Sequence, residues 1–383
     1  MNAALPNKFA VLIGGSRALS NAVKHGFARA LYCAFVAACV LSTAPAQAAV
    51  RPDVERAAKA LLDAKLPAVM AATDGLLAAP GLSRDDRIVL HAMRARAQYR
   101  AGGDGGGELA LATHAVPGIG ENAVVKTSLA NVWMSIGNQS DARGDWAASV
   151  HNYSQVIEYY CGCAAAYIAR GNAYLADNDI DAAIADFKTA IAHDSTSAHD
   201  RLVLGGAYEM KLDYAAAIGQ YGAAIALDPG DNNAYGARGR DLAALGRYAE
   251  ARRDLERAIA IDPRCVSNLV WLHIVHLRTG EDDRAWIVKI SQGMAYPDWP
   301  GTAWDYFRGR IGAAQMLHIA LTGAYTAKMH QRCDGWFYLG EEAVARHDVA
   351  VARALFRKTA ERCNAVDFEW STAKMELRRL GGA

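Results

Sequence analysis

Residues 198–231 read AHDRLVLGGAYEMKLDYAAAIGQYGAAIALDPGD, and their pattern returns every 34 residues on either side. Gly137, Gly171, Gly205 and Gly239 stand in one register. Twelve residues beyond each glycine is a small residue: Ser149, Ala183, Ala217 and Ala251. Four further on is a large apolar one (Tyr153, Phe187, Tyr221, Leu255), and three more give Val156, Ala190, Ala224 and Ala258. Four units, 130–163, 164–197, 198–231 and 232–265, thus follow one another without an insertion. A fixed period in this range marks an array of stacked helical hairpins, each burying its apolar face only against its neighbours.

The expected unit is two antiparallel helices, A and B. A glycine in helix A lets helix B approach closely, and the later small residues do the same for helix B. Trp133, Tyr167, Tyr174, Tyr208 and Tyr235 fill the remaining space. Asp228-Pro229 and Asp262-Pro263 end helix B, because proline lacks the N–H and disfavours helix in the residue before it. The period and these residues resemble the tetratricopeptide repeat (TPR) family. Leu204-Gly205-x2-Tyr208 fits the first part of that family's pattern and Ala183-x3-Phe187 the second. The expected fold is all-α, a TPR α-solenoid of antiparallel helix pairs with helical caps at both ends.

Residues 1–48 carry Lys8, Arg17, Lys24 and Arg29 and no acid, then an apolar run from Ala30 to Leu41, then Pro45-Ala46-Gln47-Ala48. This reads as a secretory signal cleaved after Ala48. A lipobox-like Val36-Ala37-Ala38-Cys39, with lipidation at Cys39, and an uncleaved anchor are the alternatives. Of the chain's 41 basic and 40 acidic side chains, 37 and 40 remain after residue 48. That balance lacks the basic footprint of a nucleic-acid binder.

Residues 49–129 are expected to cap the array. Asp53 to Leu66 has helical spacing with Asp53 as N-cap and Pro67 as stop, and Ser83 opens a second helix, Arg84 to Arg100. Gly102 to Gly107 is glycine-rich, but no Lys-Ser/Thr follows and no strand precedes it, so it reads as a flexible connection rather than a phosphate loop. In 266–383 the register continues faintly, breaks at Tyr296-Pro-Asp-Trp-Pro-Gly301, and returns in a last unit beginning at Cys333, before a final helix Glu369 to Leu380. Trp336-Phe-Tyr-Leu-Gly340, Ala354-Leu-Phe356 and Phe368-Glu369 with Glu376-Leu377 resemble the C-terminal segment of NlpI-type TPR lipoproteins. That resemblance implies an envelope adaptor that binds proteases or cell-wall hydrolases and forms a homodimer. It implies membrane attachment only through lipid at Cys39.

Cys333 and Cys363 fall at neighbouring ends of an antiparallel helix pair, where an exported protein favours a disulfide. Closing a loop of about 30 residues would add ~3 kcal/mol. Cys161-Gly162-Cys163 lies in a turn, as a local disulfide or free thiols, with metal or redox chemistry the lesser reading. His273-x2-His276 shares a helix face without a third ligand at matching spacing, so no metal site or cofactor is expected. Trp286, Trp299, Trp304 and Trp336 are read as packing rather than as a ligand cleft. No hydrolase, metalloprotease or nucleotide motif is present.

In TPR arrays the A helices line the hollow side. The second, fifth, ninth and twelfth residues of each unit would face a bound peptide. Among them are Asn131, Met134 and Asn138; Ile168, Asn172 and Leu175; His199 and Glu209; and Arg240. Asn138 and Asn172 are placed to hydrogen-bond a peptide backbone, and Arg240 to meet a carboxylate. Val203 and Ala237 sit where a carboxylate-clamp TPR has polar groups, which disfavours a chaperone-tail receptor. The expected function is a non-enzymatic exported adaptor. The alternatives are an enzyme with its site in 286–383 and Cys333 as nucleophile, or an outer-membrane assembly or secretion lipoprotein.

Overall fold

The computed structural model describes residues 50–61, 64–113, 122–160, 163–290, 299–322, 325–363 and 368–381. The signal, the lipobox and Cys161 lie outside them. Among the described residues every regular element is an α-helix, and none is long and apolar enough to cross a membrane. They form two compact units that meet in sequence between Ser195 and Thr196.

The first unit holds α1 (Pro52–Ala60), α2 (Leu66–Leu77), α3 (Arg84–Arg100), α4 (Gly106–Thr113), α5 (Ala123–Arg143), α6 (Trp146–Tyr159), α7 (Ala164–Ala176) and α8 (Ile180–His193). Repeats one and two are the pairs α5–α6 and α7–α8. The second unit holds α9 (Ala198–Met210), α10 (Tyr214–Leu227), α11 (Asn232–Ala244), α12 (Tyr248–Ile261), α13 (Val266–Thr279), α14 (Arg284–Ile290), α15 (Gly301–Phe307), α16 (Ala313–Leu321), α17 (Tyr325–Ala345), α18 (Val349–Arg362) and α19 (Phe368–Arg379). Repeats three and four are α9–α10 and α11–α12.

Two local devices set the hairpin geometry. The first is the missing Cβ of the repeat glycine. A methyl group on Gly137, Gly171 or Gly205 would stand 2.4, 2.5 or 2.4 Å from the ring of Tyr153, Phe187 or Tyr221, well inside van der Waals contact. The second is an aspartate that caps helix B. Asp145, Asp179 and Asp213 each accept a hydrogen bond from the backbone N–H three residues on, at 3.1 Å, satisfying a donor that the helix start leaves unpaired. Repeat four carries Arg247 there, which makes no cap and instead pairs with Glu250. Before each cap the chain passes through one left-handed residue: Gly144, Asn178, Leu212 or Gly246.

Several expectations are corrected at the ends. Pro67 does not stop a helix; it lies in the first turn of α2, where its missing N–H costs nothing. Asp53 lies inside the first turn of α1, whose N-cap is Arg51. Ser83 and Asp86 do form the capping box that opens α3. The glycine run is partly packed: a methyl group at Gly105 would meet the Ala95 carbonyl at 2.6 Å. Helix α17 begins eight residues before Cys333, so that cysteine sits within the helix. The Cys333–Cys363 disulfide is present, at 2.01 Å between sulfurs, and joins α17 to the end of α18. The core of the second unit gathers Leu255, Leu269, Trp271, Trp304, Phe337 and Phe356. Trp286 and Trp299 pack against it, edge-on to Trp304 and stacked on Tyr338 respectively.

Two glycines of one repeat should respond oppositely to alanine. Gly205→Ala forces Tyr221 aside and is expected to lower stability by about 1–3 kcal/mol. Gly219, exposed on α10 with nothing within 4 Å of its would-be Cβ, should gain about 0.5–1 kcal/mol from Gly219→Ala. Urea denaturation of the two variants checks both signs.

Candidate functional site

The A-helix positions behave differently in the two units. In the first, α5 presents Asn131 and Met134 half-buried and Asn138 exposed, while Asn172 on α7 is half-buried. Ile168 and Leu175 turn into the core. The Tyr153 hydroxyl lies 3.0 Å from Asn138 Oδ1 and 2.6 Å from Asp141 Oδ2, so the amide oxygen is held inward and the exposed amide keeps donors for a ligand. The Asn172 side chain makes no hydrogen bond among the described residues. Burial raises the Asp141 carboxyl above its usual range, against the opposing bonds from Ser149 and Tyr153.

In the second unit His199 is exposed, but Glu209 and Arg240 are not free surface. Their side chains lie 3.9 Å apart and are each 11% exposed. Tyr221 donates to Glu209 Oε2 at 2.6 Å, and the Arg240 guanidinium lies 5.3 Å from the centroid of the Phe368 ring. The carboxylate that Arg240 was expected to take from a ligand is therefore Glu209 of its own chain. Next to them, Asp241 is fully buried with neither carboxylate oxygen hydrogen-bonded. Burial, and then the nearby Glu209, push the Asp241 carboxyl well above its usual range. Burial likewise raises Glu209.

A second period of 68 residues underlies the first. Tyr153–Asp141 and Tyr221–Glu209 are equivalent 2.6 Å bonds in repeats one and three. Repeats two and four have Phe187 with Leu175 and Leu255 with Ala243, and no hydroxyl to satisfy. They carry instead a two-pronged ion pair between helices A and B, Arg170–Asp186 at 2.8 Å and Arg238–Asp254 at 2.7–2.8 Å. The arginines also lie over Tyr167 and Tyr235. This alternation was legible as Arg-x15-Asp and as an acid twelve residues before a tyrosine, but the 34-residue comparison averages over it.

The histidine pair has the third group that sequence reasoning missed. Asp283 Oδ2 lies 2.8 Å from His273 Nδ1 and 3.0 Å from His276 Nδ1, all three side chains buried. With Nδ1–H on both rings, one carboxylate satisfies both donors, and those bonds hold Asp283 below its ordinary value despite burial. Phe307 and Trp286 pack on the two rings. Among the described residues no group of three or more His, Cys, Asp or Glu could hold a metal ion. Cys163 is a buried thiol. Cys333, engaged in its disulfide, offers no thiolate, which removes the nucleophile of the enzymatic alternative.

Tetratricopeptide repeat models match residues 141–198, 168–232 and 233–265. Residues 141–265 of the chain form a tetratricopeptide repeat array. A search of curated proteins finds no match. Among solved structures, MamA is 23% identical over 47% of this chain and 94% of its own, with a TM-score of 0.40. A tetratricopeptide repeat protein from Parabacteroides merdae is 11% identical over 75% and 99%, with a TM-score of 0.44. PilF of Pseudomonas aeruginosa is 14% identical over 66% and 99%, with a TM-score of 0.41.

Asp241→Ala installs the residue that repeats two and three carry there, Ala173 and Ala207. Removing an unpaired buried carboxyl should stabilise the protein by about 1–3 kcal/mol at pH 7. The folded Asp241 titrates above the unfolded one, so the folded state binds more protons, and the wild type loses stability as pH rises from about 4. The advantage of the variant should therefore shrink as pH falls from 7 to 4. Urea midpoints across that range check it, and an advantage that grows in acid contradicts it.

Proposed function

We propose that this protein is an exported, non-enzymatic adaptor that holds an extended segment of another polypeptide against the A-helix face of repeats one and two. The observation that carries the reading is the pairing of Asn138 and Asn172. They occupy equivalent positions on α5 and α7, and both keep amide donors unused. An extended chain offers backbone N–H and C=O groups at a regular rise, and asparagine amides both donate to and accept from such groups. Asn131 and Met134 extend the face with one further amide and one adaptable apolar side chain. Glu209 and Arg240 are excluded from this face in the resting protein because they are engaged with each other and with Phe368; His199 remains accessible.

The basic, acid-free start and the small-x-small pattern before Ala49 support export, and the C-terminal resemblance to NlpI-type proteins supports a protease or cell-wall hydrolase of the envelope as partner. Homodimerisation belongs to the same proposal. Mass spectrometry of the mature N-terminus separates cleavage after Ala48 from lipidation at Cys39.

The double variant Asn138→Ala/Asn172→Ala removes two hydrogen-bonding side chains, each worth about 0.5–1.5 kcal/mol. Partner retention on the immobilised full-length mature protein should fall about tenfold, with an unchanged thermal midpoint. Undiminished retention contradicts the assignment.

A further inference from the structure

Position twelve of repeat three, Glu209, and position nine of repeat four, Arg240, belong to the face on which TPR arrays seat a ligand, yet their side chains are almost fully buried. What covers them is α19. Its first residue, Phe368, lies under the Arg240 guanidinium. The Tyr214 hydroxyl contacts Ser371 Oγ at 2.5 Å, and Arg379 Nη2 donates to the Ala244 carbonyl at 2.6 Å. Arg278 at the end of α13 bridges Glu376 of α19, at 2.7 Å, and Glu341 of α17.

We infer that α19 is an internal ligand: it occupies the A-helix face of the second unit in the free protein and gives way to a partner helix of the same chemistry. Such a helix carries an aromatic residue followed by an acid in its first turn, like Phe368-Glu369, and a small polar face like Ser371, Thr372 and Ala373. This rests on the proposal that A-helix faces are the binding surfaces of this protein.

Three features make α19 exchangeable. Its fully buried residues are Ser371, Thr372, Ala373 and Glu376, with Phe368, Leu377 and Leu380 only partly buried against the core, whereas the neighbouring α13 fully buries Leu269, Val270, Trp271, Leu272, Ile274 and Val275. Release of α19 separates Phe368 from Tyr214 and Trp271 but exposes less apolar area than release of α13 would, and water or a competing helix can replace its hydrogen bonds and its aromatic contact. Release also uncovers the Arg240 guanidinium, whose Nε is buried without a hydrogen-bond partner, so part of the loss is returned. Finally, Cys363 lies five residues before Phe368 and is bonded to Cys333, which keeps α17 and α18 joined while α19 swings away.

Native-state hydrogen exchange on the wild-type, disulfide-intact chain is the first test. The α19 amides should exchange about 100-fold faster than those of α17 and α18. Exchange of all three at one common rate overturns the inference without recourse to any variant. The second test uses a fluorescent peptide of residues 366–381 added in trans to the full chain. Ala373→Glu places a charge on the docked face of α19 and leaves the receiving face intact. The variant should bind the peptide about tenfold or more tighter than the wild type, and adding Arg240→Ala should abolish the gain. Equal binding by wild type and variant overturns the inference. Neither readout involves Asn138 or Asn172, so a failure of the first-unit face leaves these results standing, and the reverse.

Discussion

Everything in this structure hangs on a contact with no spare room. In each hairpin the backbone of helix A lies directly against a large side chain of helix B, and only hydrogen fits between them. The would-be Cβ of Gly137, Gly171, Gly205, Gly239 and Gly340 stands 2.4 to 2.8 Å from Tyr153, Phe187, Tyr221, Leu255 and Phe356. Such closeness fixes the separation and rotation of the two helices together, as packing at crystal-like density requires. Once that is fixed, positions two, five, nine and twelve of helix A have no choice of face. The face proposed for binding is thus a consequence of the core.

The same contact explains the polar alternation. A tyrosine against the glycine has a hydroxyl that reaches the far side of helix A, and it must find an acceptor there. Asp141 and Glu209 supply it. A phenylalanine or leucine at that position has no such need, and repeats two and four are braced instead by Arg170–Asp186 and Arg238–Asp254. In repeat one the acceptor sits beside Asn138, so the core hydroxyl also orients an amide at the surface. In repeat three it sits beside Arg240 and Asp241, and the resulting buried charge group is closed over by α19. Two copies of one device therefore yield an open face in the first unit and a covered one in the second.

The helices that a glycine–aromatic contact defines were legible in the sequence, because that contact constrains residue types at fixed spacing. So was α3, whose capping box is local. What escaped depends on chain segments distant in sequence. Tyr214 and Ser371 are 157 residues apart, and no periodicity announces that they touch. Asp283 joins His273 and His276 only because the A–B turn folds it back onto the helix. Pro67 carried two meanings, stop or start, and the apolar run after it decided for start. Arg240 was read as available because its own helix places it on the ligand face, while the side chains that engage it come from α9 and α19.

Site-specific photo-crosslinking tests the central claim most directly. A photoreactive amino acid is placed at Asn138, on the A-helix face of repeat one, or at Ala185, exposed on helix B of repeat two, and the protein is illuminated with a captured polypeptide partner. The account predicts covalent capture from residue 138 and none from residue 185. Equal crosslinking from both, or crosslinking from 185 alone, would contradict it.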